Sequence, residues 1–241
     1  MKLIFIYTSK DEKFSESILP YVKLQIDNSI ECGWKPEDII LVTNFKYEYH
    51  NVKSLVIPFI TCKYDPNSTK SYVIHYMLNN GLIGDDLYWA HDFDLYQNYP
   101  IEELELGNFD LGVCSYEYKS EWNCGSIFFR KSAKDKFNIW YEEMEKWKSR
   151  RIEEMALTKL TNEGKIEVKK MNVTYNISMR RPHRSYKKAT KPIKCVHFHP
   201  YYMDYMLPET LLDTFMYGKN PIGIPFMSER LIKLFHRYGF K

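Results

Sequence analysis

The chain has 241 residues, 44% of them hydrophobic and 16% aromatic, with a formal net charge of +3. That length and apolar content suit one large globular domain and exclude wholesale disorder. The mild charge weighs against a nucleic-acid partner, and no apolar run is long enough to span a membrane. An apolar run at 3–7 predicts a first buried strand, followed by a polar turn, Thr8-Ser9-Lys10-Asp11. A helix is expected over 17–32, with Pro20 in its first turn and Gly33 as its stop. Strands follow at 39–43 and 53–58. Asn67-Ser68-Thr69-Lys70 offers a cap for a helix that carries Tyr72, Ile74, His75, Met77 and Leu78 and ends at Asn79-Asn80-Gly81. A further strand at 87–90 precedes two more at 110–115 and 125–130. Phe137, Trp140, Tyr141, Met144 and Trp147 then recur at spacings of three and four, the apolar face of a helix. Another helix is expected over 152–160, short strands at 166–170 and 194–198, and helical segments at 211–215 and 229–238.

Strands alternating with helices predict an α/β class, with a mixed, mainly parallel central sheet flanked by helices. The expected organisation is a catalytic domain over 1–200 and a C-terminal helical extension over 201–241 packed on it. The five cysteines are scattered, with no CxxC pair, and no stretch reads as a signal peptide. These features predict a cytoplasmic protein with reduced thiols, one that could also sit at a membrane surface.

The segment Leu87-Tyr88-Trp89-Ala90-His91-Asp92-Phe93-Asp94 carries the most chemistry. An apolar strand ends in two carboxylates, which a strand interior would not tolerate unpaired. They are therefore expected at the carboxyl edge of the sheet, where α/β folds bind ligands. Residues two apart on an extended chain share a side, so both acids could approach one hard divalent cation, Mn²⁺ or Mg²⁺. Taken alone, the triplet fits a capped turn equally well. A second segment, Asn123-Cys124-Gly125-Ser126, leads into the apolar Ile127-Phe128-Phe129. Gly125 lets backbone come close to a ligand, and the Asn123 amide can donate and accept. In a third segment, His197 and His199 point the same way if the chain is extended, and imidazole can complete a carboxylate metal site. A basic stretch over 179–194 holds Arg180, Arg181 and Arg184, which suit either phosphate binding or a solvated surface.

In this order the motifs resemble those of GT-A fold nucleotide-diphospho-sugar glycosyltransferases. Asp92-Phe93-Asp94 resembles the DxD triplet, and Asn123-Cys124-Gly125 before an apolar strand resembles the N-x-G segment. Tyr175-Asn176 looks like a late "yN" pair, and Val196-His197-Phe198 is similar to the segment carrying a C-terminal metal-binding histidine. The resemblance implies a Rossmann-like GT-A fold and transfer of a sugar from a nucleotide-diphosphate donor to a hydroxyl on a glycan, lipid-linked or protein acceptor. It implies a cation held by Asp92, Asp94, His197 and His199. It places the donor near Tyr7, Thr8, Ser9, Thr43, Asn44, Lys70 and Asp92, and its diphosphate near Arg180, Arg181 and Arg184. Asn123, Gly125 and Ser126 would line the sugar or acceptor side. Asp92 and Asp94 are the expected catalytic acids. Glu153 and Glu154 stand where some relatives carry a base, although acids are also ordinary in a first helical turn. The chain departs from many relatives, which carry Asp-Gln in that helix. Two rival readings are a metal-dependent phosphohydrolase or nucleotidyltransferase using His91 as a further ligand, and a nucleic-acid module using the basic stretch with Tyr186.

Overall fold

The computed structural model describes residues 1–102, 104, 106–117, 121–148, 151–178, 182–198, 218, 223 and 225–240. Its centre is an eight-stranded sheet in the order β3-β4-β2-β1-β5-β8-β7-β9. The strands are β1 (Lys2–Ile6), β2 (Ile39–Thr43), β3 (Glu48–Tyr49), β4 (Val52–Val56), β5 (Leu87–His91), β7 (Leu111–Ser115), β8 (Trp122–Arg130) and β9 (Lys169–Met171). The β4-β2-β1-β5 run is parallel, as is the β7–β9 pair, while β8 runs antiparallel to both its neighbours. The mixed, mainly parallel sheet expected from the sequence is thus present. Three short strands, β6 (Leu95–Gln97), β10 (Ile177–Ser178) and β11 (Cys195–His197), form a second sheet in the order β10-β11-β6.

Side-chain alternation sorts the strands' residues between two faces. Leu3 and Phe5 of β1, Trp89 of β5 and Phe128 of β8 pack on one side, against Val22 and Ile26 of α1 (Leu19–Glu31). Ile4, Ala90, Ile127 and Phe129 pack on the other. There they meet α2 (Thr69–Asn79), α3 (Lys134–Lys146) and α4 (Ile152–Asn162). The stripe read from 137–147 is the buried face of α3: Phe137, Trp140 and Met144 are each no more than 1% exposed. Burying one such side chain stabilises by about 1.5–3 kcal/mol.

The main differences from expectation lie in short elements. β3, β6 and β10 are too brief to carry a periodic signal, and the partners of β6 and β10 are distant in sequence. β8 begins at Trp122, three residues before the expected start at 125, so Asn123 lies within the strand. The basic stretch is better anchored than its composition predicts. A short helix, α5 (Pro182–Tyr186), lies within it, and Ala189 and Ile193 are buried. Lys188 donates to the Glu117 carbonyl at 2.7 Å, and Ser185 donates to that of Tyr116 at 3.3 Å. The final helix, α6 (Glu229–Arg237), packs Leu231, Leu234 and Phe235 against Tyr21 and Leu24 of α1. Segment 211–215 lies outside the described residues. No helix among the described residues is long and apolar enough to cross a membrane. All five cysteines are buried and free.

Candidate metal and donor site

β5 enters the sheet core and delivers His91, Asp92 and Asp94 at its carboxyl end, beside the end of β1 and the middle of β8. The main chain locks the turn. Asp92 N–H donates to Gly125 O at 3.0 Å, and Leu95 N–H donates to Asp92 O at 3.1 Å. Phe198 N–H donates to Asp94 O at 2.9 Å, and β11 runs antiparallel to β6 with His197 opposite Leu95. Residues about a hundred positions apart are thereby fixed together. His197 Nε2 lies 3.1 Å from Asp94 Oδ1 and 3.6 Å from Asp92 Oδ2. One ligand atom from each of Asp92, Asp94 and His197 lies within 4.8 Å of the others, with the histidine buried and the acids partly exposed.

β8 is bulged at this point. Val113 and Cys114 are adjacent on β7, yet their partners on β8 are Ile127 and Asn123. Bulges re-aim strand residues and recur beside functional sites. Here the bulge brings Gly125 against the His197 ring. A Cβ on Gly125 would lie 2.2 Å from His197 Cε1 and 2.5 Å from Nδ1, so no larger residue fits unless the ring moves. Asn123 Oδ1 accepts from Gly125 N–H at 3.2 Å. Asn123 Nδ2 is buried and has no partner among the described residues. Ser126 is also taken up by the core, bonding to Trp89 Nε1 at 2.8 Å.

Lys70 enters from the first turn of α2. Its buried ammonium lies 2.6 Å from Asp92 Oδ1 and also donates to Cys124 O. Burial alone would push this ammonium down, but Asp92 and Glu153 outweigh it and hold it above the usual lysine range. Lys70 therefore takes one oxygen of Asp92 and leaves the other facing His197.

The remaining expected residues divide into those with open side chains and those that brace the site. Tyr7 is half-buried in an aromatic group with Phe14, Phe45 and Phe93. Thr8 donates to Ile60 O. Asn44 bonds reciprocally with the Ser9 main chain, at 2.8 Å in each direction. Thr43 is buried and bonds to Phe45 O. These residues shape the ends of β1 and β2. Glu153 is buried and accepts from Ser71 Oγ; burial pushes its carboxyl up to about 8, against the pull of Lys70. Glu154 accepts from Tyr116 Oη at 2.7 Å and from Arg151 Nε at 2.9 Å. Arg184 is exposed, while Arg180, Arg181 and His199 lie outside the described residues. His91 does not join the cluster. Its Nδ1 lies 2.8 Å from Asp92 O, its ring packs on Phe5 and Trp89, and burial pushes it down to about 3.

The residue that motif reading left without a role is Asn176. It follows a short helical turn at Val173–Tyr175 and is fully buried. Its Oδ1 lies 2.8 Å from His197 Nδ1, and its Nδ2 donates to Asn123 O at 3.2 Å. The resemblance to a "yN" pair was the one signal that marked it.

The donor set is chemically suited to a divalent ion: two carboxylates, and an imidazole whose Nε2 faces them. Known structures share the architecture. No protein-family profile matches the chain, and no curated protein matches it in sequence. Solved structures do match. An active-site variant of LgtC aligns over 98% of this chain and 96% of its own, with TM-score 0.59 and 13% identity. A glycosyltransferase involved in glycosylation of the major capsid of PBCV-1 aligns over 83% and 95%, with TM-score 0.53 and 15% identity. GlyE of Streptococcus pneumoniae TIGR4 aligns over 83% of this chain and 54% of its own, with TM-score 0.58 and 10% identity. The chain has the GT-A glycosyltransferase fold. In that fold the Asp92–Asp94–His197 cluster sits at the carboxyl edge of the sheet.

Proposed function

We propose that the protein is a glycosyltransferase that moves a sugar from a nucleotide-diphosphate donor to a hydroxyl of a glycan or glycoconjugate. The observation that carries this reading is the meeting of Asp92, Asp94 and His197 at the sheet edge of a GT-A fold. An LgtC structure in complex with donor and acceptor sugar analogues, aligned over 98% of this chain, supports it.

Sugar transfer requires the diphosphate to leave with growing negative charge. Asp94, His197 and the free oxygen of Asp92 would hold Mn²⁺ or Mg²⁺, which when bound supplies Lewis-acid stabilisation of that charge. Lys70 adds a fixed positive charge on the opposite oxygen of Asp92 and keeps that carboxylate oriented. The ends of β1 and β2, from Tyr7 to Ser9 and at Thr43 and Asn44, form the bed for the nucleoside, with Tyr7 offering an aromatic face. The buried amide donor of Asn123 suits a sugar hydroxyl, since an unpaired buried donor rewards a ligand that satisfies it. Glu154 is the better placed of the two helix acids to meet an acceptor. It is partly exposed, whereas Glu153 is buried and its carboxyl is pushed up to about 8. Arg184 would meet phosphate as an exposed guanidinium.

The test is a thermal-shift panel of nucleotide sugars with and without Mn²⁺. Stabilisation by one donor only in the presence of the ion is the expected result. No shift with any donor, with or without the ion, would sink the assignment.

A further inference from the structure

We infer that Asn176 is a positioning residue that selects the tautomer of His197 and so aims its Nε2 lone pair at the cation site. The inference rests on the metal reading above and adds a residue that touches neither ion nor substrate.

The argument starts from a main-chain carbonyl. Asn123 O can only accept, and it lies 3.2 Å from one end of the Asn176 side chain. That end must be the amide nitrogen, because two facing oxygens would repel. The other end is then Oδ1, also only an acceptor, and it lies 2.8 Å from His197 Nδ1. His197 must therefore carry its proton on Nδ1. A ring with a single proton then has its lone pair on Nε2, the atom that faces Asp94 and Asp92. The opposite tautomer would put an N–H where an ion's ligand atom is needed, and leave Nδ1 facing Oδ1 with no proton between two acceptors. That mismatch is costly here, since Asn176 is fully buried and His197 is 1% exposed.

Three constraints keep the relay in place. The Asn176 N–H donates to Val173 O at 2.9 Å, at the end of a turn that Asn172 caps through Thr174 N–H. β10 pairs with β11 so that Ser178 lies beside His197 in register. Gly125 leaves room for the ring on its other side. Partners of this kind on a ligating histidine typically change metal affinity by roughly 10–100-fold when removed.

The experiment uses the full chain labelled with ¹⁵N-histidine. Long-range ¹H–¹⁵N spectra in EDTA identify the protonated nitrogen of His197, assigned by the peak that H197Q loses. Mn²⁺ affinity is read by electron paramagnetic resonance of the free ion. Wild type is expected to carry the His197 proton on Nδ1. Asn176→Ala is expected to gain the Nε2–H form and to bind Mn²⁺ roughly 10–100-fold more weakly. Asn176→Asp keeps the acceptor toward Nδ1 and is expected to retain the Nδ1–H form of His197, although its second oxygen faces Asn123 O. A wild-type His197 protonated on Nε2 alone overturns the inference even if no variant folds. An Asn176→Ala protein that binds Mn²⁺ as tightly as wild type overturns it while the metal reading stands. Wild-type Mn²⁺ binding no tighter than that of Asp94→Asn overturns the metal reading, and with it the role of Asn176 toward an ion.

Discussion

Glu143 and Glu153 are buried carboxyls on neighbouring helices, and their surroundings drive them in opposite directions. Glu143, on α3, lies 2.6 Å from Lys159 of α4 and 3.0 Å from Lys146. Burial would raise its carboxyl, but the donors Lys159, Lys146 and Trp147 outweigh burial and hold it down at about 2. Glu153, on α4 beside the site, has Ser71 as a hydrogen-bond donor and feels Asp92 and Glu154 as like charges. Burial dominates there, and the group sits at about 8. The Glu143 charge meets two lysines, one of them on the neighbouring helix, and so ties α3 to α4. At the sheet edge, Lys70 lies 2.6 Å from one oxygen of Asp92, and Asp92 and Asp94 both face the buried His197. Two acids facing one imidazole suit the cation proposed above. Two adjacent carboxylates also repel one another.

The sharpest way to break this contrast is to remove charge from the edge. Asp94→Asn is expected to lower Mn²⁺-dependent turnover by roughly 10²–10³-fold or more, measured as donor consumption. Its melting temperature in EDTA should match or exceed that of wild type, because one of two adjacent carboxylates is gone. A melt that collapses together with activity would make Asp94 structural.

Gly125→Ala tests the geometry of the edge and leaves its charge intact. The added methyl runs into the His197 ring. Turnover should fall roughly a hundredfold, since a small misplacement of a positioned group is that expensive, and stability by about 1–3 kcal/mol. Crystals of the variant with His197 unmoved would contradict the expectation.

Protonation gives the third test. The folded-state value of Glu153, about 8, lies above its ordinary value of 4.5, so the folded protein holds a proton that the unfolded chain has released. Its contribution is fully present below pH 4.5 and is lost as pH rises through about 8. Urea denaturation of wild type in EDTA should show stability falling by on the order of 5 kcal/mol across that window from this group. Glu153→Gln, which mimics the protonated acid, should remove that fall. An identical pH slope in both proteins would refute the assignment.

The smallest effect is expected behind the sheet. Glu143→Ala removes the acceptor of Lys159, Lys146 and the Trp147 indole and should cost about 1 kcal/mol, with turnover unchanged at a permissive temperature. For the parent carboxyl the sign is the reverse of Glu153. Its contribution is present above pH 4.5 and is lost as pH falls toward about 2.

Much of the frame was legible before any tertiary information. Long strands such as β2, and helices with strong apolar periodicity such as α3, were readable within a residue or a few. The acids at the end of β5 were readable for an energetic reason, since an apolar strand cannot keep two of them inside. The two-residue strands were not readable, because elements of that length have no periodicity of their own. The pairing of Lys70 with Asp92 was also hidden, because an isolated lysine near a helix start looks like any surface charge. So was the bulge in β8, which exists only relative to β7.

Local pattern was therefore enough for the α/β class, the order of the main elements and the carboxylate pair. Proximity needed the folded chain. His197 reaches Asp94 through a three-stranded sheet whose members come from positions 95, 177 and 195 onward. Asn176 reaches His197 through a turn and a parallel pairing that no spacing encodes. Hydrogen bonds and metal ligation act over about 3 Å, and only packing brings residues so far apart in sequence to that distance.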